Sequence, residues 1–151
     1  MKNSNNISVN RKATFEYELI EKYEAGIVLK GSEVKSIRES KANIKESYIR
    51  LKKNELFIIG MNISEYSHQG YSTHNPIREK KLLLNRREID KIKQEVEEKG
   101  RTMIPLKLYF KNGIIKMQFA VAKGRKLRDK RNYKKDKDVK REIDRTMKGK
   151  R

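Results

Sequence analysis

Residues Ile104 to Val121 read IPLKLYFKNGIIKMQFAV. Ile104, Leu106, Leu108 and Phe110 alternate with Lys107 and Tyr109. Ile115, Met117, Phe119 and Val121 alternate with Lys116 and Gln118. A period of two is the signature of a strand that buries one face. Between the two runs stands Asn112-Gly113, the dipeptide favoured where both residues of a two-residue hairpin turn need positive φ. Pro105 lacks an N–H and predicts an edge or a bulge near the start of the first strand. The stretch is therefore an antiparallel hairpin, and the rest of the chain must extend or cover its sheet.

Upstream, Asn85 begins a helix. Asn85 is a good N-cap, Glu88 completes a capping box, and Gly100 stands at the C-terminal stop. Ile89, Ile92 and Val96 form a narrow apolar stripe among charges, so this helix packs on the surface of a larger body. Residues 67–78 hold Gly70, Asn75 and Pro76 with no persistent period and read as a long loop. Between Ser47 and Ile63, two apolar segments flank Lys53-Asn54, a further turn signal. Gly31-Ser32 opens a short helix with Ser32 as N-cap, Val34 and Ile37 as anchors, and Glu33, Lys35 and Arg38 in solvent. Phe15, Tyr17 and Leu19 alternate as a half-buried strand, and Ala25 to Leu29 form a second apolar segment. Residues 1–9 are polar and expected to be mobile. Six strands and two or three helices result: a mainly β chain with flanking helices, arranged as a small antiparallel barrel.

The chain has 151 residues, 39 Lys and Arg against 20 Asp and Glu, and a net charge of +19. Such an excess calls for a polyanionic partner, nucleic acid first and an anionic membrane surface second. The composition breaks at Ala122. Residues 123–151 carry 15 basic and 5 acidic residues, a net of +10 in 29 residues. This tail lacks apolar residues for a core of its own, yet Val139, Ile143 and Met147 recur every four residues and would share one face of a helix. Three segments follow: 1–9, a domain over 10–122, and a basic tail over 123–151 that orders on a partner. The absence of cysteine excludes disulfides and thiolate zinc sites. No run of roughly 20 apolar residues is present, and Met1 to Asn10 do not resemble a signal peptide, so a cytoplasmic protein is expected.

Little in the sequence suggests catalysis. His68 and His74 share one loop without a carboxylate spaced to orient either ring; they read as exposed loop residues able to touch phosphate, and a ribonuclease using both is the enzymatic competitor. No metal-ligand spacing and no phosphate-binding glycine loop appear. Basic pairs at Arg11-Lys12, Lys80-Lys81 and Arg86-Arg87, and the run from Lys123 to Arg131, are interleaved with seven tyrosines, a pattern suited to phosphate contact and base stacking. A general RNA chaperone or ribosomal protein fits this composition too.

Several motifs occur in a definite order: NRKA at 10–13, YEAGIVL at 23–29, GSEVKSIR at 31–38, KAN at 41–43, KLLLN at 81–85, AKG at 122–124 and DKR at 129–131. Together they closely resemble the SsrA-binding protein family, also called small protein B, of bacterial trans-translation. The resemblance runs over nearly the whole chain from Asn10. It implies an OB-like β-barrel that binds the tRNA-like domain of transfer-messenger RNA, acts as a monomer when free, and brings that RNA to stalled ribosomes. It implies no catalytic residue, no cofactor and no membrane. The RNA-contacting positions it implies are Glu33, Leu83, Asn85, Lys116, Lys123, Arg125 and Lys126. It further implies that Asp129, Lys130 and Arg131, with Val139, Ile143 and Met147, form a tail that is disordered when free and helical on small-subunit RNA. Two departures stand out: Ser40 replaces a common glycine after the first helix, and Thr146 replaces a common apolar residue in the tail.

Overall fold

The computed structural model describes residues 5–65 and 74–124. Nine strands and three helices follow in the order β1 (Asn6–Val9), α1 (Ala13–Glu16), β2 (Tyr17–Ile27), α2 (Gly31–Arg38), β3 (Ala42–Asn43), β4 (Tyr48–Lys52), β5 (Glu55–Ile59), β6 (Asn62–Ile63), β7 (Lys80–Leu83), α3 (Arg86–Lys99), β8 (Thr102–Lys111) and β9 (Ile114–Gly124). Seven strands form one sheet in the order β1-β8-β9-β2-β7-β5-β4, and every pairing in it is antiparallel. The sheet curls until β4, at one edge, lies close to β8. The expected barrel is thus a strongly curled sheet whose hydrogen-bonded ladder stays open among the described residues, with β1 and β4 as its edges.

The β8–β9 hairpin turns at Asn112 and Gly113, with φ of 51° and 77°, as the primed turn requires. Lys53 and Asn54 turn β4 into β5 in the same way, with φ of 51° and 63°. The proline signal resolves as a bulge: the β8–β9 register shifts between Pro105 and Lys107. This splits the alternating run expected to share one face. Leu108 and Phe110 join the main core, while Ile104 and Leu106 join a second cluster with Ala13, Ala120 and Ala122. A second bulge, at Ile20, shifts β2 against β9. Tyr17 and Leu19 therefore pack on the second cluster, whereas Tyr23 and Ala25 enter the main core. The two apolar segments read between Phe15 and Leu29 prove to be one bulged strand preceded by a helical turn.

The inner face of the sheet carries Tyr23, Ala25, Ile49, Leu56, Ile58, Leu82, Met117 and Phe119, closed by Ile37 of α2 and Ile92 of α3. Tyr23 and Phe119 stack with centroids 5.6 Å apart. Asn85 caps α3, its Oδ1 accepting from Glu88 N at 2.9 Å while its own N–H donates to Glu88 Oε1 at 3.3 Å. Gly100 ends the helix at φ 66°.

Three expectations are corrected. Asn6–Val9, expected to be mobile, form β1, whose polar backbone finds a ladder partner in β8. The N-cap of α2 is Lys30 rather than Ser32, and only half a capping box exists there: Glu33 Oε1 accepts from Lys30 N at 2.7 Å, while the Lys30 ammonium has nothing with which to accept. The end of the long loop is docked, since Ile63 N donates to Pro76 O at 2.8 Å.

Candidate nucleic-acid interface

The two faces of the sheet differ because a strand's side chains alternate. On β2, Tyr23 and Ala25 point inward, so Lys22, Glu24 and Gly26 point outward. On β9, Met117 and Phe119 point inward, so Lys116 and Gln118 point outward. One end of the outer face is covered where α1 packs on the second cluster. The other end is open.

Across that open end the register aligns four residues in one row: Tyr109 pairs with Lys116, Lys116 with Gly26, and Gly26 with Leu83. Leu83 is 50% exposed although it is a leucine in a strand. Val28 and Lys81 lie beside it, Val28 N donating to Lys81 O at 3.0 Å. Asn85 follows two residues after Leu83, exposed, its amide nitrogen unpartnered among the described residues. Arg86 fixes this end of α3 by donating to Asn54 O at 2.9 Å and Glu55 Oε1 at 3.0 Å. Leu83 and Lys116 therefore lie on one row either side of Gly26, with Asn85 two residues beyond Leu83.

Charge on this face is sorted. Glu24 accepts from Tyr109 Oη and, at 3.1 Å, from Lys111 Nζ. The Tyr109 bond, with Lys111, holds Glu24 below the usual carboxylate range. Burial and Glu24 push the Tyr109 phenol far up, so it stays a neutral donor. Lys107 lies 5.2 Å from the centroid of the same ring. Lys81 lies 3.9 Å from Glu55. Lys116 makes no salt bridge among the described residues, although its charge helps to hold the Glu24 carboxyl low.

The other expected positions fall elsewhere. Lys123 is exposed but sits seven residues along β9 from Lys116, about 24 Å away at strand rise. Arg125 and Lys126, and Asp129, Lys130, Arg131, Val139, Ile143 and Met147, lie outside the described residues, as does His68.

Glu33 differs most from its reading. The sequence pattern puts it in solvent; it is fully buried. Arg78 grips it with two bonds, Nη2 to Oε1 at 2.6 Å and Nε to Oε2 at 3.1 Å. The same guanidinium donates to Val28 O at 3.2 Å and Glu79 O at 3.1 Å. Burial pushes the Glu33 carboxyl up, but Arg78, the Lys30 N–H and nearby Lys80 together outweigh burial and hold it low. Lys80, read as half of a surface basic pair, is also fully buried, its ammonium donating to Met61 O at 3.3 Å and Arg78 O at 2.5 Å. Burial brings it down to about 8. His74, read as an exposed phosphate contact, is buried as well. Its Nε2 lies 2.9 Å from Ile63 O and its Nδ1 2.8 Å from Ser32 Oγ. The carbonyl accepts only, so Nε2 carries the proton and Nδ1 accepts from the hydroxyl. Both nitrogens are spent on structure. Glu33, Arg78, Lys80, His74 and Ser32 thus form a buried polar layer that ties α2 to β6 and β7. Nothing in the spacing of these residues announces it; the docking of the 74–80 segment creates it.

Taken together, the fold and the open face define a class: a small, strongly basic, mainly β protein whose sheet offers apolar, aromatic and cationic groups side by side, the surface type that suits nucleic acid. The family model of the SmpB protein matches residues 7–149. The SsrA-binding protein of Christiangramia forsetii is 52% identical over 98% of this chain and 94% of its own length. Those of Syntrophobacter fumaroxidans and Aquifex aeolicus are 49% and 48% identical, over 96% and 95% of this chain and 90% and 92% of their own lengths. A solved chain from work described as "tmRNA-SmpB: a journey to the center of the bacterial ribosome" superposes with a TM-score of 0.65 at 40% identity, over 82% of this chain and 90% of that one. The chain belongs to the SmpB protein family.

Proposed function

We propose that this protein binds the tRNA-like domain of transfer-messenger RNA and delivers it to stalled bacterial ribosomes for trans-translation, with no enzymatic step of its own. The observation that carries the reading is the row Tyr109–Lys116–Gly26–Leu83 on the open face, with Asn85 beside it. Lys116 supplies a phosphate contact, Leu83 and Tyr109 supply surface for sugar and base, and Asn85 keeps an amide N–H₂ for an acceptor while its oxygen caps α3. The curled sheet serves as an OB-like barrel in this reading, and the tail from Lys123 on takes the second RNA surface, that of the small ribosomal subunit. The site of action is the cytoplasm. The relatives' names, SsrA-binding protein, support the RNA partner. The ribonuclease alternative loses force because His74 spends both nitrogens on Ser32 and Ile63.

The test is competition at one physiological salt concentration between a labelled tRNA-like domain, ordinary tRNA and an unrelated hairpin. Preference for the tRNA-like domain is expected. Equal binding to all three would mean that charge alone drives affinity, and would replace the carrier role with general RNA binding. Truncation at residue 129 should leave the domain folded and most RNA affinity intact while abolishing tagging of stalled chains; tagging by the truncated protein would refute the tail's role.

A further inference from the structure

We infer that Gly26 is the floor of a subsite for one unpaired nucleoside, bounded by Leu83 on one side and by Lys116 and Tyr109 on the other. The inference rests on the proposed RNA role and adds a position that determines how closely RNA approaches the sheet.

Gly26 faces outward in the middle of the row. Its neighbours rise above it: Leu83 is half exposed, and Lys116 and Tyr109 are partly exposed. Leu83 and Lys116 stand on the strands flanking β2, two strand spacings or about 10 Å apart. A Cβ at Gly26 would lie 3.4 Å from Leu83 Cβ and 3.6 Å from its Cδ1, with no other residue among the three nearest atoms. Leu83 therefore leans over the glycine from the β7 side, while Lys116 is its partner on the β9 side.

The backbone does not require glycine here. Gly26 is absent from the positive-φ residues, and the Cβ contacts are ordinary van der Waals distances. Glycine in a strand interior weakens the strand and marks places where a ligand or another backbone comes close. The three atoms nearest to such a Cβ all belong to Leu83, so the β7 side of the glycine is bounded by apolar surface. The chemistry of the rim selects the occupant. Leu83 offers apolar surface to a base or ribose, Lys116 an ammonium with no salt bridge among the described residues to the attached phosphate, and Tyr109 a ring whose neighbouring Glu24 is bound by Lys111. A flat ring carrying an anionic group, a nucleotide, fits these three together.

The experiment compares wild type with Gly26→Ala and Gly26→Thr. Both residues are compatible with this backbone, and threonine suits a strand, so circular dichroism and thermal melting should match wild type or improve. Affinity for the tRNA-like domain should fall severalfold for alanine and at least tenfold for threonine. The amide signal of Gly26 should shift on titration of wild type with the same RNA, a readout independent of substitution. Folded variants with unchanged affinity, or an unmoved Gly26 amide at saturation, would overturn the subsite. If wild type fails to prefer the tRNA-like domain while Gly26→Thr weakens binding to every RNA, the carrier reading fails and the subsite stands.

Discussion

Replacing Glu33 by Gln separates a contact with RNA from the building of a protein. The carboxylate is fully buried, and its partner Arg78 is 26% exposed at the side chain. Removing one partner of a buried pair costs about 3–5 kcal/mol, because the other charge stays behind undersolvated. Two features reduce that here. Arg78 can turn partly to water, and it keeps Val28 O and Glu79 O as acceptors. Glutamine also retains a carbonyl for Lys30 N, preserving most of the helix cap. The expected loss is therefore about 2–3 kcal/mol, a large part of the roughly 5–15 kcal/mol that holds a domain together. Urea denaturation at pH 7 measures it. The deficit must shrink in acid. Glu33 is held below its unfolded value of 4.5, so its contribution is complete above that value and disappears as pH falls through the lower folded value. RNA affinity measured where both proteins are fully folded should change less than tenfold. A variant as stable as wild type that has lost RNA binding would refute this reasoning and make the carboxylate a direct RNA contact.

Lys80 gives the opposite pH dependence. Its ammonium titrates near 8 when folded against 10.5 when unfolded, so the unfolded chain binds more protons between these values and stability should rise by about 1–2 kcal/mol from pH 8 to 9.5; Lys80→Met should flatten that rise, and an identical slope in both proteins would refute it. Ser40 adopts φ 61°, the left-handed region that disfavours a side chain, so Ser40→Gly should stabilise by about 0.5–1 kcal/mol and raise the melting temperature by a few degrees; a lower melting temperature would mean the serine repays its strain elsewhere. Asn85→Ala should cost about 1 kcal/mol through the lost cap, and Asn85→Asp should restore stability without restoring RNA affinity, since a carboxylate caps but cannot donate. Recovery of both properties in the aspartate variant would leave Asn85 with a capping role alone.

Much of the sheet was legible. Asn112-Gly113 sets the β8–β9 register, and from it the pairing of Lys116 with Tyr109 follows by counting back from the turn. Capping chemistry marked α3 at both ends. The bulges at Ile20 and Pro105 were less accessible, because a bulge is invisible to a period-two count until the partner strand is known; each moved apolar residues to the other face. The candidate site was legible in parts. Leu83 and Lys116 flank Gly26, with Asn85 two residues beyond Leu83, but the pairing of β2 with β7 that places Leu83 there joins residues almost sixty positions apart. The buried layer was misread for a physical reason. Charged residues are rarely buried, so the default expectation leaves Glu33 in solvent and Lys80 in a surface basic pair. Their burial depends on Arg78 and on backbone carbonyls supplied by Val28 just after β2, Met61 just before β6 and Arg78 before β7.

The pairing of Glu33 is one instance of a wider matching of acid groups in a chain of net charge +19. Glu21, Glu24, Glu33, Glu55, Glu79 and Glu95 are each matched to a lysine or arginine within the protein. These acid groups are matched within the protein, and Lys116 on the outer face carries no salt bridge among the described residues. The field of that net charge draws in any polyanion and weakens steeply with salt, so it supplies affinity and rate without choice. Choice has to come from terms that survive at high salt: the contour of Leu83, Gly26 and Tyr109, and the directed amide of Asn85. The two contributions are separable on this protein. Lys116→Gln should lower affinity for every RNA and reduce the salt slope by about one, whereas Leu83→Ala should leave the slope unchanged and reduce the preference for the tRNA-like domain. Matching salt slopes and matching specificity in the two variants would mean that the row acts only as charge and that its shape contributes no choice.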